Sequence, residues 1–132
     1  MIEKVQDKYG PGIWFVIHLM SYKTDKDQTL RRSFFTYIHA LADNFPCGEC
    51  RGHFKNYLSN NPPEKSNELF KWSWEFHNTV NKRLGKQVLT YEEAIKPFQS
   101  ASPICTDECG EDHNPDVKRY YTINSYHKLY NV

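Results

Sequence analysis

Apolar residues recur at intervals of three and four along several stretches of the chain, which predicts amphipathic helices. The predicted helices lie at residues 13–22, 29–43, 47–59, 67–85 and 90–98. No alternating pattern typical of a half-buried strand competes with them before residue 100. The sequence therefore predicts an all-α fold, a four-helix bundle with a short fifth helix.

Proline, glycine and asparagine residues mark the expected ends of these helices. The Gly-Pro-Gly at residues 10–12 is expected to start the first helix, with residues 1–9 outside it, because proline suits a first helical turn. Pro46 disfavours a helical conformation at the residue before it, so it separates the second helix from the third. Asn67 is expected to cap the start of the fourth helix, and Gly85 to close its end.

The last predicted helix opens on a capping box. Thr90 and Glu93 have the spacing of a capping box, in which each side chain accepts a hydrogen bond from the other residue's amide. Beyond residue 99 the helical period is lost. We therefore interpret residues 1–99 as one domain and residues 100–132 as a tail.

Composition narrows the possible partners. Seventeen Lys and Arg residues face sixteen Asp and Glu residues, for a formal charge of +1. This balance indicates neither a nucleic acid nor an anionic membrane as a partner. No run approaches the roughly 20 apolar residues of a membrane span, and the N-terminal residues lack the apolar segment of a secretory signal. We expect neither a membrane anchor nor a secretion signal.

Four cysteines form two close pairs, Cys47 with Cys50 and Cys105 with Cys109. The first pair is a Cys-x-x-Cys at the predicted start of a helix, where exposed amides and the helix dipole stabilise a thiolate. Redox chemistry is one interpretation. Half of a zinc site and a pair of buried small residues are the others. A thioredoxin-like fold is disfavoured because it needs strands alternating with helices, which this pattern does not show. If the pair is catalytic in an all-helical domain, a bound cofactor is needed to accept the electrons.

A second group of polar residues lies in the fourth predicted helix. His77 and Asn81 are one turn apart beside the apolar row, at the edge of the core. They could hydrogen-bond a ligand, or they could be boundary residues whose hydrogen bonds are satisfied within the protein. Lys82, Arg83 and Lys86 follow near the end of the helix. These cations suit the helix dipole and could also meet phosphates.

Four motifs together resemble the Erv/ALR-type flavin-linked sulfhydryl oxidases. They are Trp14-x-x-x-His18, the Phe-Pro-Cys-x-x-Cys of residues 45–50, Asn61-Pro62, and the His-Asn-x-Val-Asn-x-Arg-Leu-Gly-Lys of residues 77–86. The motifs occur in family order, and the resemblance covers about residues 10–98. The chain departs from larger cellular members in having no Arg after the first glycine of the Gly-Pro-Gly and no further structural disulfide.

The resemblance implies a bundle that binds FAD at its mouth. Cys50 would be the sulfur next to the flavin, and Cys47 would exchange with incoming thiols. The residues implied to contact FAD are Trp14, His18, Tyr22, Cys50, His77, Asn78, Val80, Asn81, Lys82 and Lys86. No metal site is implied. Cys105 and Cys109 resemble a shuttle pair, with a structural disulfide as the alternative.

The implied reaction joins two thiols of a protein substrate into a disulfide and reduces oxygen to hydrogen peroxide. The family also implies a homodimer. The short form with a Gly-Pro start is similar to members encoded by large cytoplasmic DNA viruses, which would place the protein in the host cytoplasm or the virion. The alternative from another class is a zinc-stabilised helical binding module that uses all four cysteines as ligands.

Overall fold

The structure is a computed structural model that describes residues 5–100, and every regular element in that range is helical. The five α-helices are α1 (Val5–Lys26), α2 (Arg31–Asn44), α3 (Gly48–Asn60), α4 (Leu69–Arg83) and α5 (Tyr91–Ser100). Short 3₁₀ turns at Gln28–Leu30 and Pro63–Lys65 lead into α2 and precede α4. The predicted all-α class and the five helices are confirmed.

Helix α1 begins earlier than the sequence predicted. It starts at Val5 and runs through the Gly-Pro-Gly, so the expected start at residues 10–12 was wrong. Proline removes one helical hydrogen bond but its fixed φ is compatible with a helix. Gly10 and Pro11 are buried, so packing of this turn offsets the local cost. None of the helices in residues 5–100 is long and apolar enough to cross a membrane.

Within residues 5–100 the chain divides into two compact units, residues 16–76 and a second unit of residues 5–15 and 77–100. The core of the first unit is built from large side chains of α2, α3 and the start of α4. Tyr57 stacks on Phe76 with ring centroids 4.3 Å apart, and Phe54 meets the same ring edge-on at 4.9 Å. Phe34 of α2 meets Trp72 of α4 edge-on at 6.2 Å. Such aromatic pairs add to the burial energy and hold α3 against α4.

A buried polar cluster joins α1 to α4 within the same unit. His18 Nδ1 lies 2.9 Å from Ser73 Oγ, and Ser21 Oγ lies 3.0 Å from the same oxygen. All three side chains are at most 1% exposed. Because an unpaired buried polar group costs free energy, these contacts fix how far α1 can slide along α4.

The start of α4 is capped by a residue distant in sequence. The carboxylate of Asp25 accepts hydrogen bonds from the backbone N–H groups of Leu69 (2.8 Å) and Phe70 (2.9 Å). The expected cap, Asn67, lies two residues before Leu69, and Asp25 takes the role instead, so that prediction was wrong. A carboxylate both satisfies the first amides and complements the positive end of the helix dipole, which a local asparagine does less well.

The end of α4 forms a two-bond C-terminal cap around Gly85. The N–H of Lys86 donates to the carbonyl of Asn81 (2.8 Å), and the N–H of Gly85 donates to the carbonyl of Lys82 (3.2 Å). Gly85 has φ +70°, in the left-handed region that favours glycine. The predicted role of Gly85 in closing this helix is confirmed.

The capping box at the start of α5 is also confirmed. Glu93 N–H donates to Thr90 Oγ1 at 3.1 Å, and Thr90 N–H donates to Glu93 Oε2 at 3.0 Å. Helix α5 continues past Pro97 to Ser100, slightly further than the pattern predicted.

We predict that Asp25→Ala lowers the free energy of unfolding by about 1–2 kcal/mol, because two amides at the start of α4 lose their acceptor. Asn67→Ala is the matched control and should change it by less than about 0.5 kcal/mol. Urea denaturation of both variants gives the comparison. Equal losses in the two variants would contradict the cap assignment.

We predict that Gly85→Ala destabilises the protein by about 1–2 kcal/mol, because alanine must adopt a left-handed conformation. No neighbouring atom lies within 4 Å of an added Cβ at Gly85 or at Gly52 in α3, so neither change causes a clash. Gly52→Ala should instead stabilise α3 by about 0.5–1 kcal/mol. Thermal unfolding that shifts both variants the same way would refute this explanation.

Candidate functional site

The Cys-x-x-Cys lies at the start of α3, as its position after a proline predicted. Cys47 is the N-cap residue in an extended conformation (φ −92°, ψ 118°), and its Sγ accepts a hydrogen bond from the N–H of Cys50 at 3.2 Å. Its carbonyl accepts from the N–H of Arg51 at 2.8 Å. Both cysteines are half-buried. The amide and the helix dipole therefore favour a thiolate on Cys47.

Local sequence explains why the pair is held there. Helix α2 ends at Asn44, and Phe45 adopts an extended conformation (φ −61°, ψ 130°), as expected before Pro46. The Phe45 ring lies 5.7 Å from the ring of Phe54, which belongs to the core. The contact of Phe45 with Phe54 on one side and the first turn of α3 on the other thus fix the path of the backbone that leads into Cys47.

The second unit contains a stacked pair of aromatic rings. The indole of Trp14 and the imidazole of His77 are nearly parallel, with ring centroids 4.1 Å apart and an angle of 9° between them. His77 is 1% exposed, whereas Trp14 is half-buried. Packing against Trp14 therefore sets the orientation of the His77 ring.

Asn81, one turn beyond His77, carries an unsatisfied buried group. The residue is 2% exposed, and its Nδ2 has no hydrogen-bond partner among the described residues. A buried amide nitrogen without an acceptor costs about 1–3 kcal/mol. Such a group is expected where a ligand supplies the missing acceptor.

Asn78 differs from Asn81 in being engaged by the protein itself. Its Nδ2 donates to the carbonyl of Leu89 at 2.7 Å, and its Oδ1 accepts from the N–H of Leu89 at 2.9 Å. The side chain thereby pins the segment between α4 and α5. A contact of Asn78 with FAD stays a prediction.

The buried cluster at His18 holds its ring through Ser73. Ser73 Oγ donates to the carbonyl of Phe70 at 2.7 Å, and His18 Nδ1 lies 2.9 Å from the same oxygen. Ser21 Oγ lies 3.0 Å from Ser73 Oγ and donates to the carbonyl of His18 at 2.9 Å. The tautomer of His18 decides which atom donates in its contact with Ser73.

The remaining sequence-predicted residues occupy varied positions. Tyr22 meets the ring of Phe70 edge-on at 6.0 Å, and the Lys26 ammonium lies 4.9 Å from the Tyr22 ring centre. Val80 and Lys86 are half-buried, whereas Lys82 is exposed. The predicted shuttle pair, Cys105 and Cys109, lies outside the described residues.

Sequence reasoning missed two residues that position the site. Ser73 holds His18, and it could have been suspected because it precedes His77 by four residues and so lies on the same side of α4. Asp25 caps α4, and nothing in the local sequence indicates it.

Within residues 5–100, no group of three His, Cys, Asp or Glu side chains is arranged to hold a metal ion. The zinc alternative also needs Cys105 and Cys109, which lie outside that range. The described part of the chain thus supplies at most two of its proposed cysteine ligands.

Comparison with known proteins gives one matching family model and several relatives that share the name FAD-linked sulfhydryl oxidase. The model of the Erv1 / Alr family matches residues 11–99. The FAD-linked sulfhydryl oxidase of African swine fever virus (isolate Pig/Kenya/KEN-50/1950) is 33% identical over 107 residues, which cover 78% of this chain and 89% of that protein. ERV1 of Arabidopsis thaliana, also named FAD-linked sulfhydryl oxidase, is 30% identical over 91 residues, covering 66% of this chain and 48% of its own length.

A yeast relative extends the similarity. The FAD-linked sulfhydryl oxidase ERV2 of Saccharomyces cerevisiae is 26% identical over 113 residues, 83% of this chain and 56% of that protein. No solved structure matches the chain significantly. Because the family match spans residues 11–99 and includes both the Cys-x-x-Cys and the His77–Lys86 run, the chain belongs to the Erv1/Alr family.

Proposed function

We propose that this protein is an FAD-dependent sulfhydryl oxidase that forms disulfide bonds in protein substrates. Two thiols and one oxygen molecule give one disulfide and one hydrogen peroxide. Family membership and the names of the relatives support this activity. The structural observation that carries it is the cysteine pair at the start of α3, with Cys47 as the N-cap.

The residues of this chain fit FAD. The buried Nδ2 of Asn81 needs an acceptor that the described residues do not provide, and FAD, which is rich in carbonyl, ring-nitrogen and phosphate acceptors, would supply one. We assign the binding of FAD to the ten residues that the sequence predicted, among them Trp14, His18, His77 and Asn81. When bound, FAD accepts two electrons from a dithiol and delivers them to oxygen.

The two cysteines perform the thiol chemistry. A substrate thiolate attacks the sulfur of Cys47 in the Cys47–Cys50 disulfide, forms a mixed disulfide and releases Cys50 as a thiolate. The second substrate thiolate then attacks the substrate sulfur of that mixed disulfide. This step yields the substrate disulfide and releases Cys47, whose thiolate is stabilised at the start of α3. The pair now holds both electrons.

Three finer features belong to the same proposal. Cys105 and Cys109 act as a shuttle pair on the tail of residues 100–132, outside the oxidase domain of residues 1–99. The protein acts as a homodimer. The similarity to a protein of African swine fever virus supports a viral member that acts in the host cytoplasm or the virion.

The purified protein should be yellow, and Asn81→Leu should lower its affinity for FAD by about tenfold because one hydrogen bond to the cofactor is lost. The same change should leave the FAD-free protein at least as stable, since a buried unsatisfied amide is removed. Flavin absorbance after dialysis and urea unfolding of the FAD-free protein measure the two effects. Asn56→Leu on the exposed face of α3 is the matched control.

Unchanged FAD retention in Asn81→Leu would contradict the role of Asn81. A colourless protein that contains stoichiometric zinc would instead favour the zinc-stabilised binding module.

Cys47→Ser and Cys50→Ser should each abolish oxygen uptake with a small dithiol while FAD stays bound, because each removes one half of the exchanging disulfide. An oxygen electrode and the flavin spectrum report these two properties separately. Cys105→Ser is the control and should oxidise the small dithiol at the wild-type rate. Turnover that persists in either Cys47→Ser or Cys50→Ser would rule out the proposed relay.

A further inference from the structure

Arg51 directly follows the Cys-x-x-Cys, and its side chain folds back over the segment that precedes α3. Its Nη1 donates a hydrogen bond to the carbonyl of Phe45 at 3.0 Å. Its Nη2 lies 3.5 Å from the position that a Cβ on Gly48 would occupy. The guanidinium therefore binds the backbone two residues before Cys47 and lies near Gly48, the residue after it.

The positive charge of Arg51 is not neutralised by the described part of the chain. Among the neighbouring charged groups, Lys55 is paired with Asp43 at 3.1 Å. Glu49 Oε1 lies 3.7 Å from His53 Nε2, a contact that is an ion pair only when His53 is protonated. No carboxylate within residues 5–100 forms an ion pair with Arg51, and the Phe45 carbonyl that accepts its hydrogen bond is uncharged. An exposed arginine that is hydrogen-bonded to the backbone before Cys47 thus lies close to the cysteine that meets incoming thiols.

The sequence supplies a dithiol of complementary charge. Asp107 and Glu108 lie between Cys105 and Cys109, and Glu111 and Asp112 follow directly. Four carboxylates therefore accompany this cysteine pair within eight residues, although the whole chain is nearly neutral. A guanidinium recognises carboxylates well because its planar group of donors matches their geometry.

We propose that Arg51 is a specificity-determining residue that favours dithiol substrates with carboxylates next to their cysteines, such as the chain's own Cys105–Cys109 segment. This inference rests on the proposed thiol exchange at Cys47. The carboxylates pair with the guanidinium while one substrate sulfur bonds to Cys47 and the Cys47–Cys50 bond breaks. The second substrate sulfur then displaces Cys47, so two electrons pass to the protein pair and the substrate becomes a disulfide.

Two blocked synthetic peptides test the inference, the acidic Cys-Thr-Asp-Glu-Cys and its neutral isostere Cys-Thr-Asn-Gln-Cys. Each is mixed with the oxidised, full-length protein without oxygen, and the peptide disulfide is quantified by acid quench, alkylation and mass spectrometry. The ratio of the oxidation rate of the acidic peptide to that of the neutral peptide is measured first in Arg51→Gln, where it reports how much the two peptides differ in intrinsic reactivity. In the wild type this ratio should be about three- to fivefold higher, the size expected of exposed ion pairs.

Further variants separate a charge effect from a structural one. Arg51→Lys keeps the charge and should retain part of the preference, whereas Arg32→Gln on the exposed side of α2 should retain all of it. The preference should shrink in about 0.5 M salt, because exposed charges are screened. The neutral peptide should react equally with wild type and Arg51→Gln, which shows that the hydrogen bond to Phe45 is not needed for the exchange itself.

The same rate ratio in wild type and Arg51→Gln would overturn the inference, as would an equal loss of preference in Arg32→Gln. A slower reaction of both peptides with Arg51→Gln would assign Arg51 a structural role instead. If neither peptide reacts with the wild type, the proposed exchange at Cys47 fails and the specificity of Arg51 fails with it.

Discussion

The first amide groups of α4 need acceptors, and α1 provides them. Asp25 binds the N–H groups of Leu69 and Phe70, while His18 and Ser21 contact Ser73 one turn further along α4. The cluster at Ser73 is fully buried, so a shift of α1 along α4 would leave several polar groups without partners at a cost of about 1–3 kcal/mol each. The aromatic contacts of Tyr57 and Phe54 with Phe76 then place α3 on a helix whose position is already fixed.

The start of α3 exchanges some stability for reactivity. N-cap positions favour the oxygen atoms of Ser, Asp and Asn, which are stronger acceptors than a thiol. Cys47 occupies this position and uses its sulfur as the acceptor. When the sulfur becomes a thiolate, the same amide and the helix dipole stabilise its negative charge. The cap is therefore strongest when Cys47 is a thiolate, which is the form that the proposed exchange releases.

Two asparagines of the family motif show how one sequence pattern serves two purposes. Asn78 is satisfied by the backbone of Leu89 and holds the segment after α4. Asn81 is buried with an unsatisfied Nδ2, which destabilises the ligand-free protein. A ligand that satisfies this group recovers the cost, and so binding and folding stability are coupled.

The sequence by itself determined the features that depend on neighbouring residues. Helical periodicity, the left-handed Gly85 and the Thr90–Glu93 box are local, so they could be predicted without the fold. The start of α1 and the cap of α4 could not, because the first depends on the burial of Gly10 and Pro11 and the second on an aspartate 44 residues away from Leu69. The family motif named Asn78 and Asn81 alike. Only the tertiary structure decided which amide the protein satisfies itself, because the backbone of Leu89 reaches one of them and no described acceptor reaches the Nδ2 of the other.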